Sequence, residues 1–142
     1  MILLDTNVVS EPYRAVPSGS VRNWLDGQRQ QDLFLCTPVL AELWYGVERL
    51  PSGGRRDRLE RWVQNLEEER FENRVLPVDQ AAAHEFGRIV AKRTRMGLPI
   101  GPMNALIASI AVCHGAALAT RDVPDFEGIS LELIDPFAAG SG

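Results

Sequence analysis

The sequence predicts an α/β fold in which a mostly parallel sheet carries helices on both faces. Short apolar runs of strand length alternate with longer segments of helical spacing through most of the 142 residues. This alternation favours parallel strands joined by helical crossovers. No internal repeat or second domain is visible. The length favours one domain with its own core, residues 1–137, followed by a disordered tail at residues 138–142.

The first predicted strand is the unbroken apolar run from Ile2 to Leu4, although periodicity alone does not separate it from a buried helix. Asp5, Thr6 and Asn7 follow directly. They stand at the carboxyl end of the strand, where open α/β sheets bind ligands. Asp5 is therefore the first candidate site residue. In the alternative interpretation, Asp5 or Thr6 only caps the next helix.

The next predicted elements are a short helix, a longer helix and a strand. The short helix carries Val8 and Val9 inward and ends near Pro12. Residues Ser18 to Gln28 show apolar side chains at helical spacing after a capping serine, which predicts the longer helix. The apolar run from Leu33 to Cys36 predicts the second strand.

A third helix is predicted from Thr37 to about Leu50, with Thr37 as the cap and proline at the first helical position. Glu42 lies in an early turn, where the helix dipole alone would favour an acid. Gly46, one turn further on, leaves space over Glu42 that a purely structural acid would not need. We therefore interpret Glu42 as a metal ligand or base that points towards Asp5.

A helix from Arg55 to Phe71, a third strand and a further helix follow. The strand, Val75 to Val78, is interrupted by Pro77 and is expected at or near a sheet edge. Asp79 is expected to cap the following helix, which reaches Arg95.

The last helix, Met103 to His114, is nearly all apolar, and Asn104 is the polar side chain of its opening turn. The fourth strand is expected at Ala116 to Ala119 and the last at Ile129 to Ile134. The loop after the fourth strand supplies Thr120, Asp122 and Asp125.

These polar residues follow a predicted strand or lie early in a predicted helix. In a parallel sheet, all of them can converge at one edge of the sheet. Several carboxylates gathered without basic partners repel one another and raise each other's pKa unless a cation sits among them. Oxygen ligands suit Mg²⁺ or Mn²⁺, and the chain has no cysteine and histidine set that would favour zinc. We therefore expect a single negative pocket that holds a divalent cation. Its expected members are Asp5, Asn7, Glu42, Asn104, Thr120, Asp122 and Asp125.

The net charge of −4 argues against a nucleic-acid partner held by overall charge. Of the 15 basic residues only Lys92 is a lysine, and several arginines cluster. One cluster lies between Arg55 and Arg61, where a solvated helix face explains it at least as well as a phosphate site.

The remaining composition indicates a cytoplasmic protein with no signal peptide and no membrane span. Cys36 and Cys113 fall within predicted core elements, so both are expected to be small buried hydrophobes.

Four segments together resemble one family: MILLDTNVVSE, TPVLAELWYGVERL, GLPIGPMNALIASIAVCHGAALATRD and VPDFEGISLELIDP. The chain is similar to PIN-domain ribonucleases, specifically the VapC-type toxins of bacterial toxin–antitoxin pairs. The resemblance implies a three-layer α/β/α fold, RNA cleavage that depends on Mg²⁺ or Mn²⁺, a VapB-like antitoxin, and a homodimer or a higher toxin–antitoxin assembly.

By the same resemblance, Asp5, Glu42 and Asp125 match three of the four acidic positions of the family, and Thr120 matches a neighbouring polar residue. The fourth position departs, because Asn104 stands where such toxins usually have aspartate. An asparagine loses a full charge, which predicts weaker metal binding and slower chemistry. Asp122, at a position where relatives often have asparagine, is expected to restore part of that charge.

For an active enzyme we expect Asn7 and Thr120 to contact substrate, and Lys92, Arg93, Arg95 and Arg121 to contact phosphate groups. Two alternatives stay open. One is a catalytically inactive module that binds RNA or its antitoxin. The other, ranked low, is a phosphate-transferring hydrolase with Asp5 as nucleophile, which needs a lysine near the site.

Overall fold

The computed structural model describes residues 1–138 and has a central sheet of five parallel strands. These are β1 (Ile2–Leu4), β2 (Leu33–Cys36), β3 (Val75–Leu76), β4 (Ala117–Ala119) and β5 (Leu133–Ile134). Their order is β3-β2-β1-β4-β5, so β1 lies at the centre. All four strand pairings are parallel. The segments after β1 and β4 therefore leave the sheet side by side.

Helices flank this sheet, which confirms the predicted α/β class. They are α1 (Thr6–Val9), α2 (Gly19–Asp26), α3 (Thr37–Glu48), α4 (Gly54–Asn65), α5 (Gln80–Arg95) and α6 (Pro102–His114). Short 3-10 turns lie at Glu11–Tyr13, Gln30–Asp32 and Val123–Phe126, and a π-helical turn, Leu66–Arg70, continues α4. No helix in residues 1–138 combines the length and apolarity needed to cross a bilayer.

Helix boundaries follow local chemistry at several predicted positions. Ser18 caps α2 through its hydroxyl, which accepts from the Val21 N–H, and Asp79 caps α5 by accepting from the Ala82 N–H at 2.9 Å. Gly115 ends α6 with φ of 61°, a left-handed conformation that favours glycine. β3 is an edge strand, as Pro77 predicted.

Several structural expectations were wrong, and one is the third strand, which contains only Val75 and Leu76 and not Val75 to Val78. Thr37 does not cap α3, because it is the first helical residue and its hydroxyl accepts a hydrogen bond from the Val78 N–H at 3.2 Å. The last strand is shorter than Ile129–Ile134 and contains only Leu133 and Ile134. Cys113 is exposed, since it lies in the final turn of α6 beside the exposed His114.

The core forms on both faces of the central strands. Leu3, Leu4 and Leu35 are fully buried, and helix residues such as Val39 and Ile107 pack against them. Cys36 belongs to this core as expected, and burial raises the pKa of its thiol to about 12. The expected tail lies outside the described residues, except for Ala138.

Candidate active site

Asp5 lies at the carboxyl end of β1, where the central strand meets α1. Its Oδ1 accepts from the Thr6 N–H at 2.7 Å, and its Oδ2 accepts from Thr120 Oγ1 at 2.7 Å. The first contact caps α1, so Asp5 does cap the next helix, as the alternative interpretation expected. Only 5% of Asp5 is exposed, and both carboxylate oxygens are held by named partners. Asp5 is therefore fixed in position rather than free in solvent.

Thr120 connects the segment after β4 to this carboxylate. Its hydroxyl donates to Asp5 and accepts from the Asp122 N–H at 3.0 Å, and the residue is fully buried. The expectation that Thr120 contacts substrate was therefore wrong, because no surface of it remains for RNA to reach. Thr120 positions Asp5 and the turn that carries Asp122.

Glu42 faces Asp5 across Thr6, a residue that the sequence analysis did not select as part of the site. The Thr6 hydroxyl donates to Glu42 Oε1 at 2.9 Å, while the Thr6 N–H binds Asp5. Glu42 is exposed. A Cβ atom at Gly46 would meet nothing within 4 Å, so the predicted space near Glu42 exists. The position of Thr6 directly after Asp5 was the signal that could have identified it.

Asn7 links the first strand to the loop after β4. Its Nδ2 donates to Asp122 Oδ2 at 3.0 Å, and its Oδ1 accepts from the Arg121 N–H at 3.1 Å. The Arg121 guanidinium lies 4.7 Å from the centroid of the Phe137 ring, and Arg121 is exposed. We call Asp5, Thr6, Asn7, Glu42, Thr120 and Asp122 the Asp5 network.

The Asp5 network concentrates negative charge around a buried carboxylate. Burial raises the pKa of Asp5 above its ordinary value, and the charges of Glu42 and Asp122 raise it further. The hydrogen bonds from Thr120 and Thr6 act in the opposite direction. No arginine or lysine within residues 1–138 forms an ion pair with these three acids. The cluster thus lacks a compensating cation from the described part of the protein.

Asn104 and Asp125 lie on the wall of an adjacent pocket of about 160 Å³, which we call the Asn104 pocket. Its lining also includes Arg93, Pro99, Ile100 and Gly101. Asp125 is exposed, and its N–H donates to the Asp122 carbonyl at 2.9 Å. The lining of this pocket does not include Asp5 or Glu42. The acids occupy two neighbouring groups that meet at the turn between Asp122 and Asp125.

Arg93 is buried beside the Asn104 pocket and is 4% exposed. Its guanidinium donates to the carbonyls of Leu98 at 2.6 Å, Asp125 at 2.9 Å and Glu127 at 2.7 Å. This burial does not favour the expected phosphate contact, because the carbonyls occupy the Nε and Nη1 donors of Arg93. Arg93 instead joins the α5–α6 loop to the turn that carries Asp125. Arg95 and Lys92 remain exposed near the end of α5.

The donor chemistry of the Asp5 network fits a hard divalent cation, since it offers carboxylate oxygens that repel one another. The geometry fits a metal site less well than the donor chemistry does. Within residues 1–138, no three acidic, histidine or cysteine side chains converge closely enough to form a metal cluster. Asn104, in the neighbouring pocket, carries an amide and no charge.

The family model of the PIN domain matches residues 2–127 of this chain. The chain is 41% identical to plasmid stability protein StbB of Pseudomonas syringae, in an alignment that covers 98% of this chain and 100% of the relative. It is 36% identical to VapC ribonuclease Y4jK of Sinorhizobium fredii, covering 96% of this chain and 98% of the relative.

Solved structures share the fold over nearly the whole chain. The FitAB complex bound to a DNA fragment contains a chain with a TM-score of 0.92 and 33% identity, covering 97% of this chain and 96% of that one. VapBC2 of Rickettsia felis, bound to a DNA fragment of its promoter, gives a TM-score of 0.76 and 26% identity, covering 94% and 97%. Both structures are complexes that include a DNA fragment.

Proposed function

Because the chain belongs to the PIN-domain family and is a homologue of VapC-type ribonuclease toxins, we propose that it is a divalent-metal-dependent endoribonuclease. In this proposal it is the toxin of a bacterial toxin–antitoxin pair and hydrolyses RNA phosphodiester bonds. Its activity is attenuated by Asn104. The observation that carries the proposal is the junction of Asp5, Thr120 and Glu42, which brings acids from distant parts of the chain to one edge of the sheet.

PIN-domain nucleases generally depend on divalent metal ions, and we propose Mg²⁺ or Mn²⁺ here. Asp5, Glu42 and Asp122 would hold the ion, with Asn104 and Asp125 on the adjacent wall. The chemistry that a divalent ion would supply at such a site is to lower the pKa of a water molecule and to offset the negative charge that develops on the phosphate. Asn104 supplies a carbonyl oxygen without charge, so affinity for the ion is reduced.

The protein's own side chains have separate tasks in this mechanism. Thr120 and the Thr6 N–H hold Asp5 in one orientation, which keeps the carboxylate preorganised. Thr6 also holds Glu42 Oε1, while Glu42 Oε2 makes no hydrogen bond within residues 1–138. We propose that Glu42 Oε2 is the general base that accepts a proton from the attacking water. Arg121 is exposed and lies beside Asn7, and we propose that Arg121, Asn7 and the exposed Arg95 contact the substrate, the two arginines through its phosphate groups.

We propose a VapB-like antitoxin as protein partner and a homodimer or larger toxin–antitoxin assembly as the resting form. The complexes of the structural relatives support this proposal. We place the protein in the cytoplasm, where its RNA substrate is found.

The direct test is an RNA cleavage assay of the chain and of Asn104→Asp with Mg²⁺ or Mn²⁺. We expect the substitution to raise the cleavage rate at least about tenfold, since it adds a ligand charge. Asn104→Ala is the matched control and should give no gain. A rate for Asn104→Asp that equals the starting rate would show that position 104 does not limit the chemistry.

Asn104 also favours a second candidate, a PIN module that binds RNA or its antitoxin without cutting. A metal titration distinguishes the two, because such a module binds RNA equally well in chelator. The nuclease site is expected to bind RNA more tightly when the cation is present, since the ion offsets repulsion between phosphate and the acids.

A further inference from the structure

A basic concave surface lies outside the Asp5 network, between the loop after the first 3-10 turn and the start of α4. It has a volume of about 710 Å³ and is open to solvent. We call it the arginine groove. Its lining is Tyr13, Arg14, Ala15, Val16, Arg55 and Arg58. Half of these residues are arginines and none is acidic, in a protein whose overall charge is −4.

The arginines of the groove make few contacts that stabilise the fold. Arg55 and Arg58 are exposed and form no ion pair within residues 1–138. Arg14 approaches Glu11 at 3.5 Å, but its side chain is 62% exposed, so the pair contributes little. The adjacent Arg56 differs, since it pairs with Glu48 at 2.9 Å. The groove thus presents cationic charge at Arg55 and Arg58 that no ion pair within residues 1–138 neutralises.

The opposite wall of the groove is held in place and carries an aromatic ring. Glu11 is buried and accepts from the Ser18 N–H at 3.0 Å, which closes the loop that contains Arg14 and Val16. Tyr13 packs against Trp62 with ring centroids 4.8 Å apart and remains 39% exposed. A partly exposed ring backed by a second aromatic ring is suited to stack a nucleic-acid base.

We propose that the arginine groove binds the backbone of single-stranded RNA and stacks a base on Tyr13. This inference rests on the proposed nuclease function and adds a substrate-binding surface to it. Arginine binds phosphate through paired donors, and an acidic protein needs a local cationic surface to hold RNA. One short helix and one 3-10 turn lead from Asp5 to Tyr13, a path of at most about 20 Å at helical rise. A few nucleotides of an extended strand can span that path.

The test measures binding of a fluorescein-labelled single-stranded RNA oligonucleotide of mixed sequence to the full chain. Fluorescence anisotropy is followed in EDTA over a range of salt concentrations. Arg55→Gln/Arg58→Gln should bind about tenfold more weakly at low salt. Its plot of log affinity against log salt should be shallower by about 1.4, because two phosphate contacts are lost.

Arg22→Gln/Arg61→Gln is the matched control, since it removes the same charge from exposed helical positions outside the groove. It should change affinity less than about twofold, as a long-range charge effect alone would. Thermal unfolding verifies that both double variants are folded. Equal RNA affinities for the two double variants would overturn the inference.

A cleavage assay of Asn104→Asp separates this inference from the proposed function, and an assay of poly-glutamate binding separates RNA from an acidic protein ligand. Cleavage by Asn104→Asp combined with undiminished RNA binding by Arg55→Gln/Arg58→Gln would overturn the groove and leave the nuclease intact. Absence of both RNA binding by the starting chain and cleavage by Asn104→Asp would overturn the function itself. If Arg55→Gln/Arg58→Gln loses poly-glutamate binding and keeps RNA binding unchanged, the groove binds an acidic protein segment. That result would also overturn the inference.

Discussion

The Thr120 hydroxyl donates a 2.7 Å hydrogen bond to the carboxylate of Asp5, although the two residues are 115 positions apart. The parallel register of β1 and β4 makes this contact possible, since Leu4 pairs with Ala119 and the next residue of each strand reaches the same edge. The hydroxyl then accepts from the Asp122 N–H at 3.0 Å. One buried side chain thereby fixes both Asp5 and the turn after β4.

Thr120→Val removes this hydroxyl while keeping the shape of the side chain. We expect the free energy of unfolding at neutral pH to fall by about 1–3 kcal/mol, because the Asp5 carboxylate and the Asp122 N–H each lose a partner. Thr120→Ser keeps the hydroxyl and should recover most of the loss. Urea unfolding measures both, and equal stabilities for the valine variant and the starting protein would contradict the assigned role.

Asp5→Asn tests the electrostatic cost of the buried carboxylate. Burial first, then Glu42 and Asp122, raises the pKa of Asp5 above 3.8. A group whose folded pKa is raised stabilises the fold most below its unfolded pKa, and this stabilisation is lost as pH rises through the folded pKa. The stability of Asp5→Asn relative to the starting protein should therefore increase as pH rises from the unfolded pKa of Asp5 through its folded pKa.

The measurement is the free energy of unfolding in urea between acidic and neutral pH. Asp57→Asn, an exposed change of the same chemistry, is the control. A difference between Asp5→Asn and the starting protein that stays constant over the whole range would mean that Asp5 titrates alike in the folded and unfolded states.

Arg93→Met tests the corrected role of Arg93. The substitution leaves the carbonyls of Leu98, Asp125 and Glu127 without their donor, so we expect a loss of about 2–4 kcal/mol in stability. Arg93→Lys should recover only part, because an ammonium cannot reproduce the fork of a guanidinium. Arg95→Met, at an exposed neighbour, should change stability by less than about 0.5 kcal/mol. Similar stabilities for the two methionine variants would return Arg93 to the surface role first expected.

The sequence was sufficient where a local signal decided the structure. The apolar run Leu33–Cys36, followed by Thr-Pro, predicted β2 with its observed bounds, and Asp79 caps α5 as expected. The start of the last strand was harder to predict, because its pairing depends on β4 and not on its own composition. Cys113 was misplaced because α6 is apolar on nearly all sides, so its pattern does not reveal which face is exposed.

The candidate site was predictable as a set of residues but not as an arrangement. Alternating strands and helices indicated that acids after β1 and β4 would meet, and Asp5, Glu42 and Asp122 do lie near one another. The use of Arg93 was hidden, since an arginine on a helix is usually solvated and its carbonyl partners at 125 and 127 lie 32 and 34 residues away. The arginine groove was hidden for the same reason, because Tyr13 and Arg55 meet only through tertiary packing.

If the acids at the carboxyl end of β1 form a site for a divalent cation, direct titration with Mn²⁺ is the closest test of that site. Isothermal calorimetry should show binding to the starting chain, tighter binding to Asn104→Asp and loss of binding in Asp5→Asn. The expected order follows from the number of charged oxygen ligands in each protein. Absence of Mn²⁺ binding to both the starting chain and Asn104→Asp, or equal binding to Asp5→Asn, would contradict the claim.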